Sequence, residues 1–151
     1  MNKPILGITM GDPSGNGPEI SIKALMKPDT YERCRPLIVG DAKCIEAAIP
    51  TVKGAECLKV NAIHEVKDAK FECGTIDVLD MDQVDLSKRL YKKDRKSLAA
   101  TMSPEALEAA YHESQVMSGE AAFQYVKKVI ELAMAGEVDA TVTNALNKDH
   151  I

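Results

Sequence analysis

The chain contains no tryptophan, and its aromatic side chains are two phenylalanines and four tyrosines. Any core must therefore be mainly aliphatic. Positive charge is also short: 19 Lys and Arg against 23 Asp and Glu leave a formal net charge of −4. Non-specific nucleic-acid binding needs a basic surface, so no nucleic-acid partner is expected. The one basic run, Lys88-Arg89, Lys92-Lys93 and Arg95-Lys96, is flanked by acids and reads as a solvated charged segment. No apolar stretch approaches the length of a membrane span, so no membrane partner is expected either. The start of the chain has no basic region followed by a long apolar segment, so no secretory signal is visible and a cytoplasmic location is expected. Cys34, Cys44, Cys57 and Cys73 form no Cys-x-x-Cys pair, and reduced thiols are the economical reading. His64-Glu65 begins like a zinc-binding H-E-x-x-H helix, but position 68 is Asp. His64, His112 and His150 share no helix face and have no Cys at ligand spacing, so they read as solvated or structural rather than metal-binding.

The 151 residues, 45% hydrophobic and 28% charged, suffice for one soluble domain with a real core. Short apolar runs predict strands over 4–10, 35–40, 58–60, 76–79 and 139–143. Between them lie helical patterns. One starts at Pro18, with Glu19 favourable at the positive helix end, and stops before Pro28. A second spans 42–49. Ser103-Pro104-Glu105 reads as the start of a third, extending to Ser114. The clearest runs over 118–135, where Ala122, Tyr125, Val126, Val129, Ile130 and Ala133 form one apolar stripe and Gly136 ends the helix. Strands alternating with helices predict an α/β fold: a parallel or mixed sheet flanked by helices. In such sheets ligands gather at loops after the carboxyl ends of strands. Two such loops stand out, 11–17 and 144–148.

The first loop, Gly11-Asp12-Pro13-Ser14-Gly15-Asn16-Gly17, carries more glycine than a simple corner needs. It is not a dinucleotide fingerprint, because Ile20 occupies the third glycine position, and not a P-loop, because Gly17 is followed by Pro18-Glu19. Asp12 and Glu19 would repel a phosphate unless a cation intervened, though they can accept hydrogen bonds from hydroxyls or an amide. A tight connection with glycines at positive φ and a backbone that admits a flat ligand both fit this spacing. Ser14 lacks a His–Asp partner set, which argues against nucleophilic catalysis.

Residues 9–19, Thr9-Met10-Gly11-Asp12-Pro13-Ser14-Gly15-Asn16-Gly17-Pro18-Glu19, resemble the amino-terminal signature of the 4-hydroxythreonine-4-phosphate dehydrogenase family of pyridoxal phosphate biosynthesis. Ser118-Gly119-Glu120-Ala121-Ala122, Gly136-Glu137-Val138-Asp139-Ala140, and Thr143 through Asn147-Lys148 resemble that family's later helix, strand and Thr-Ala-Pro-x-x-Lys loop. Asn16 stands where the family usually has an aliphatic residue. Asn144 and Ala145 replace a small residue and a proline.

The resemblance implies an isocitrate/isopropylmalate dehydrogenase-like fold, with 1–151 as the amino-terminal α/β portion of a longer two-domain enzyme. It implies NAD-dependent (or NADP-dependent) oxidation and decarboxylation of 4-phosphohydroxy-L-threonine, with a divalent metal ion whose ligands lie downstream of Ile151. A paralogue acting on D-threonate or D-erythronate 4-phosphate is the close alternative, and a non-catalytic remnant or binding module is the alternative of another class. The implied partners are a small phosphorylated hydroxy acid and, at full length, a second copy in a homodimer. Gly11, Asp12, Gly15, Gly17, Glu19, Thr143 and Asn147 are the expected cofactor-binding or cleft residues, with Lys148 as a further cleft residue. None of them is expected to bind metal.

Overall fold

The computed structural model describes residues 2–144. In chain order these form β1 (Ile5–Thr9), α1 (Gly17–Leu25), α2 (Pro28–Arg33), β2 (Arg35–Gly40), α3 (Ala42–Ala48), β3 (Lys59–Ile63), β4 (Thr75–Asp80), α4 (Arg95–Ala99), α5 (Pro104–Met134) and β5 (Ala140–Val142). The strands make one sheet in the order β3-β4-β2-β1-β5, and every ladder is parallel. This is the α/β fold expected. The core is aliphatic, as the composition requires: Ile22, Leu25, Leu37, Ile38, Ile45, Ile76 and Val78 are fully buried.

The order of the strands locates the crevice. From β1 the chain moves to β2 and on to β3 at the outer edge, comes back one place to β4, then crosses past β1 to lay down β5 on its other side. Parallel crossovers are right-handed, so movement in opposite directions puts α1 with α3 on one face and α5 on the other. Accordingly α1 packs on α3, whereas α5 packs on β1, β2 and β5. The direction reverses between β1 and β5, and that is where α/β sheets open a crevice beyond their carboxyl ends.

One helix, α5, covers the stretch expected to hold two. Ser103 caps it by accepting the Ala106 N–H at 3.2 Å. Its far end closes at Gly136, with φ 78°. There the Gly136 N–H reaches the Ala133 carbonyl and the Glu137 N–H the Leu132 carbonyl, at 3.1 and 2.9 Å. The expected break at 114–118 is absent because Ser114, Ser118 and Gly119 are buried mid-helix positions where loops approach. Tyr111, Ser114, Ser118, Ala121, Ala122, Tyr125, Val129 and Leu132 form the buried face. Ile130, expected in that face, is 50% exposed, and Val126 is half-buried. Pro28, expected only to stop a helix, opens α2.

A buried carboxylate joins these layers. Asp41, fully buried just after β2, accepts the Tyr125 hydroxyl from α5 at 2.7 Å. Its oxygens also accept the Gln83 N–H at 2.9 and 3.0 Å and the Val84 N–H at 2.8 Å. The ammonium of Lys43 lies 3.6 Å away. Burial, and then the Asp41 carboxylate, push the Tyr125 phenol well above its ordinary value. Burial, and then Asp77, do the same to Tyr31. The four cysteines are free thiols, and burial pushes Cys44 up to about 12.

Replacing Asp41 by Ala strands several buried donors and should cost about 3 kcal/mol or more, against about 1–2 kcal/mol for Tyr125→Phe. Both phenols are held neutral in the folded state. Their stabilisation is therefore complete below the unfolded tyrosine value of about 10 and is lost as pH rises above it. Denaturant midpoints measured from neutral to strongly alkaline pH should fall above about pH 10, and less steeply in Tyr125→Phe.

On the outer face of α5, Val116, Phe123 and Ile130 recur at every seventh position and are 55%, 50% and 50% exposed. Such a stripe drives association. The 151-residue chain should self-associate in light scattering, and Phe123→Glu with Ile130→Glu should reduce this.

Candidate active site

Three segments that lie far apart in the chain meet at the carboxyl ends of β1 and β5. Gly11 takes a φ of 81°, which starts the loop out of β1. Asp12 is buried and its Oδ1 accepts the Ser14 N–H at 2.8 Å, so it holds the loop's own turn. Gly17 opens α1 against the strand it has just left: a Cβ there would lie 2.0 Å from the Met10 carbonyl oxygen. Gly15 differs from both. Its φ is ordinary, and a Cβ would meet nothing nearer than 3.5 Å. The fold does not require a glycine at 15, and Gly15 lines a surface cavity together with Glu19.

The second segment is α5. Ser14 Oγ and Ser118 Oγ are 2.6 Å apart, one hydroxyl donating to the other, and Ser118 is fully buried. The third follows β5. The Asn144 N–H donates to Thr9 Oγ1 at 3.0 Å. Its side-chain amide donates to the Gly17 carbonyl at 3.0 Å and to Ser21 Oγ at 2.8 Å. Thr143, just before it, is exposed. Asn147, Lys148 and His150 lie outside the described residues.

Sequence reasoning gave Ser118 and Asn144 no site role. Asn144 opens the second candidate ligand loop and departs from the family pattern, and its own task in the fold is to pin the loop after β5 to the start of α1. A polar amide straight after a strand was the available signal. The basic run is solvated at Lys88, Lys92, Lys93 and Lys96, as expected, but its backbone is held at 90–91 and Arg89 is half-buried. Leu90 donates its N–H to Ser114 Oγ at 2.8 Å, and the Tyr111 hydroxyl donates to the Tyr91 carbonyl at 2.7 Å. These bonds to α5 bring Arg89 to the glycine loop, where its Nη1 donates to the Pro13 carbonyl at 3.4 Å. His64 and His112 are exposed. Among the described residues no three His, Cys, Asp or Glu side chains converge on a possible metal position. No described helix is long and apolar enough to cross a membrane.

The chain is similar in sequence and fold to known proteins. A sequence profile of the pyridoxal phosphate biosynthetic protein PdxA family matches residues 32–151. The chain belongs to that family. It is 37% identical over 150 residues to a Clostridium botulinum protein named "Putative D-threonate 4-phosphate dehydrogenase", covering 99% of this chain and 38% of that protein. A Symbiobacterium thermophilum protein of the same name is 36% identical over 147 residues, covering 97% of this chain and 37% of its own. The solved structure of a 4-hydroxythreonine-4-phosphate dehydrogenase from Burkholderia phymatum superposes with a TM-score of 0.79 at 35% identity, covering 99% of this chain and 38% of that one. One from Klebsiella pneumoniae gives 0.69 at 26% identity, covering 98% and 39%. The chain thus spans little more than a third of the length of these PdxA-family relatives.

Gly15 and Gly17 predict opposite outcomes. Gly17→Ala forces backbone movement and should cost roughly 3 kcal/mol or more. Gly15→Ala should change stability by less than about 0.5 kcal/mol. Thermal or denaturant midpoints of the two variants check this directly.

Proposed function

We propose that this chain is the amino-terminal α/β portion of a two-domain, NAD-dependent dehydrogenase that oxidises a four-carbon phosphorylated hydroxy acid. The carrying observation is the convergence of the glycine loop, Ser118 and Asn144 at the point where the strand order reverses. The family membership adds the reaction class, since its relatives are named dehydrogenases. A bound nicotinamide would supply the hydride acceptor for oxidation of the substrate's secondary alcohol, and the β-keto acid so formed would lose CO₂.

This chain's own residues supply the approach to the crevice. Gly15 leaves its backbone open to a flat ligand, and Glu19, half-buried beside it, can accept a hydrogen bond from a ligand hydroxyl. Ser118 and Asn144 are positioning residues that hold this loop against α5 and β5. The described residues do not form a metal site, so no step of the reaction is assigned to a metal held by them. A cytoplasmic location and a homodimer of the full-length protein complete the proposal.

Two substrates divide the reading. Relatives named for D-threonate 4-phosphate favour a substrate with a hydroxyl at carbon 2. The structural neighbours named for 4-hydroxythreonine-4-phosphate favour an amine there. The test is NAD reduction, with a divalent cation present, by the whole product of the gene and by the 151-residue chain. We expect the whole product to turn over D-threonate 4-phosphate or 4-phosphohydroxy-L-threonine, and the 151-residue chain alone to turn over neither. If the whole product reduces NAD with neither substrate, the dehydrogenase reading fails and a binding module takes its place.

A further inference from the structure

Between the glycine loop, the end of α3 and the segment after Lys88 lies a cavity of about 360 Å³, large enough for a small ligand. Arg89, Lys92 and Lys93 line it, opposite Gly15, Asn16 and Glu19. Their neighbours in the same basic run are neutralised: Lys88 pairs with Glu113 and Arg95 with Glu108. Among the described residues, Arg89, Lys92 and Lys93 form no ion pair. Two of them crowd one ring, with the Arg89 guanidinium 4.8 Å and the Lys93 ammonium 5.3 Å from the centre of Tyr91. Arg89 is half-buried and anchored on the Pro13 carbonyl. Like charges gathered on a fixed ring, with one carboxylate facing them, leave the cavity net positive. On the loop side no side chain caps the first turn of α1, which adds a weakly positive wall.

We propose that this cavity binds the phosphate group of a phosphate ester that also carries free hydroxyls. Arg89, Lys92 and Lys93 take the phosphate, and Glu19 accepts from a hydroxyl. These cations offset the Glu19 carboxylate, which would otherwise repel a phosphate here. A nucleotide and a phosphorylated hydroxy acid share this chemistry. The choice between them rests on the dehydrogenase reading, whereas the anion site does not.

Calorimetric titration with inorganic pyrophosphate at low salt tests it, using the protein as its gene encodes it. Lys92→Glu with Lys93→Glu changes two exposed side chains at little risk to folding. It should weaken pyrophosphate binding by roughly tenfold or more. Lys96→Glu, in the same run but outside the cavity, should change it by less than about twofold. Unchanged affinity in the double variant, or an equal loss in Lys96→Glu, would overturn the site. NAD and D-threonate 4-phosphate are then added as competitors. Displacement by NAD assigns the cavity to the nucleotide and displacement by the hydroxy acid assigns it to the substrate, while displacement by neither overturns a phosphate-ester site. Turnover without the double-variant effect would sink this site alone. Pyrophosphate binding without turnover would sink the dehydrogenase reading alone.

Discussion

The buried carboxylate of Asp41 sets the geometry on which the rest depends. It is fully buried, and removing a charge from water is costly unless donors surround it. Here they do: a tyrosine hydroxyl from α5 and two backbone N–H groups from the loop after β4. These donors come from two parts of the chain, and both are drawn, with Asp41, to the carboxyl ends of the strands. The consequence reaches further along α5. Tyr125 lies on the same buried face as Ser118, Ser114 and Tyr111. Seating Tyr125 on Asp41 therefore also fixes where Ser118 meets the glycine loop and where Ser114 and Tyr111 hold the 89–91 backbone. A charge inside the core thereby positions the groups that face the crevice.

Much of the architecture was legible because apolar runs and breakers agree locally. Residues 35–40 form β2 as expected, and the run at 76–79 became Thr75–Asp80 with one residue added at each end. The third strand was placed near the right position but too short, since β3 runs to Ile63. Where the reading failed, tertiary contacts overrode local pattern. Serines and a glycine at 114–119 look like a helix break. In the fold they are the small polar positions that let two loops approach α5 closely. The stripe of α5 was read slightly rotated, because Ile130 is apolar but faces outward while Ser114 and Ser118 are polar and face inward. Burial follows the partners available, not hydropathy alone.

The glycine loop shows how far a motif can be taken apart by physics. Gly11 serves backbone conformation, Gly17 serves close packing on Met10, and Gly15 serves neither. Only the last is free to serve a ligand, and it is the one that lines the cavity. The basic run was illegible for the opposite reason. Its charges and flanking acids look alike in sequence, and only the fold separates Lys88 and Arg95, which pair with carboxylates, from Arg89, Lys92 and Lys93, which form no ion pair among the described residues. The proposed reaction class rests on family membership, and the fold puts the exposed Gly15 near the point where the strand order reverses.

The proposed ligand site lies at the carboxyl edge between β1 and β5, where the glycine loop, Ser118 and Asn144 meet. Backbone amide shifts followed by NMR during titration with NAD test it most directly. Perturbations concentrated at residues 14–19 and around Asn144 are predicted. Perturbations confined to β3 and the opposite edge of the sheet, or to the amino ends of the strands, would contradict it.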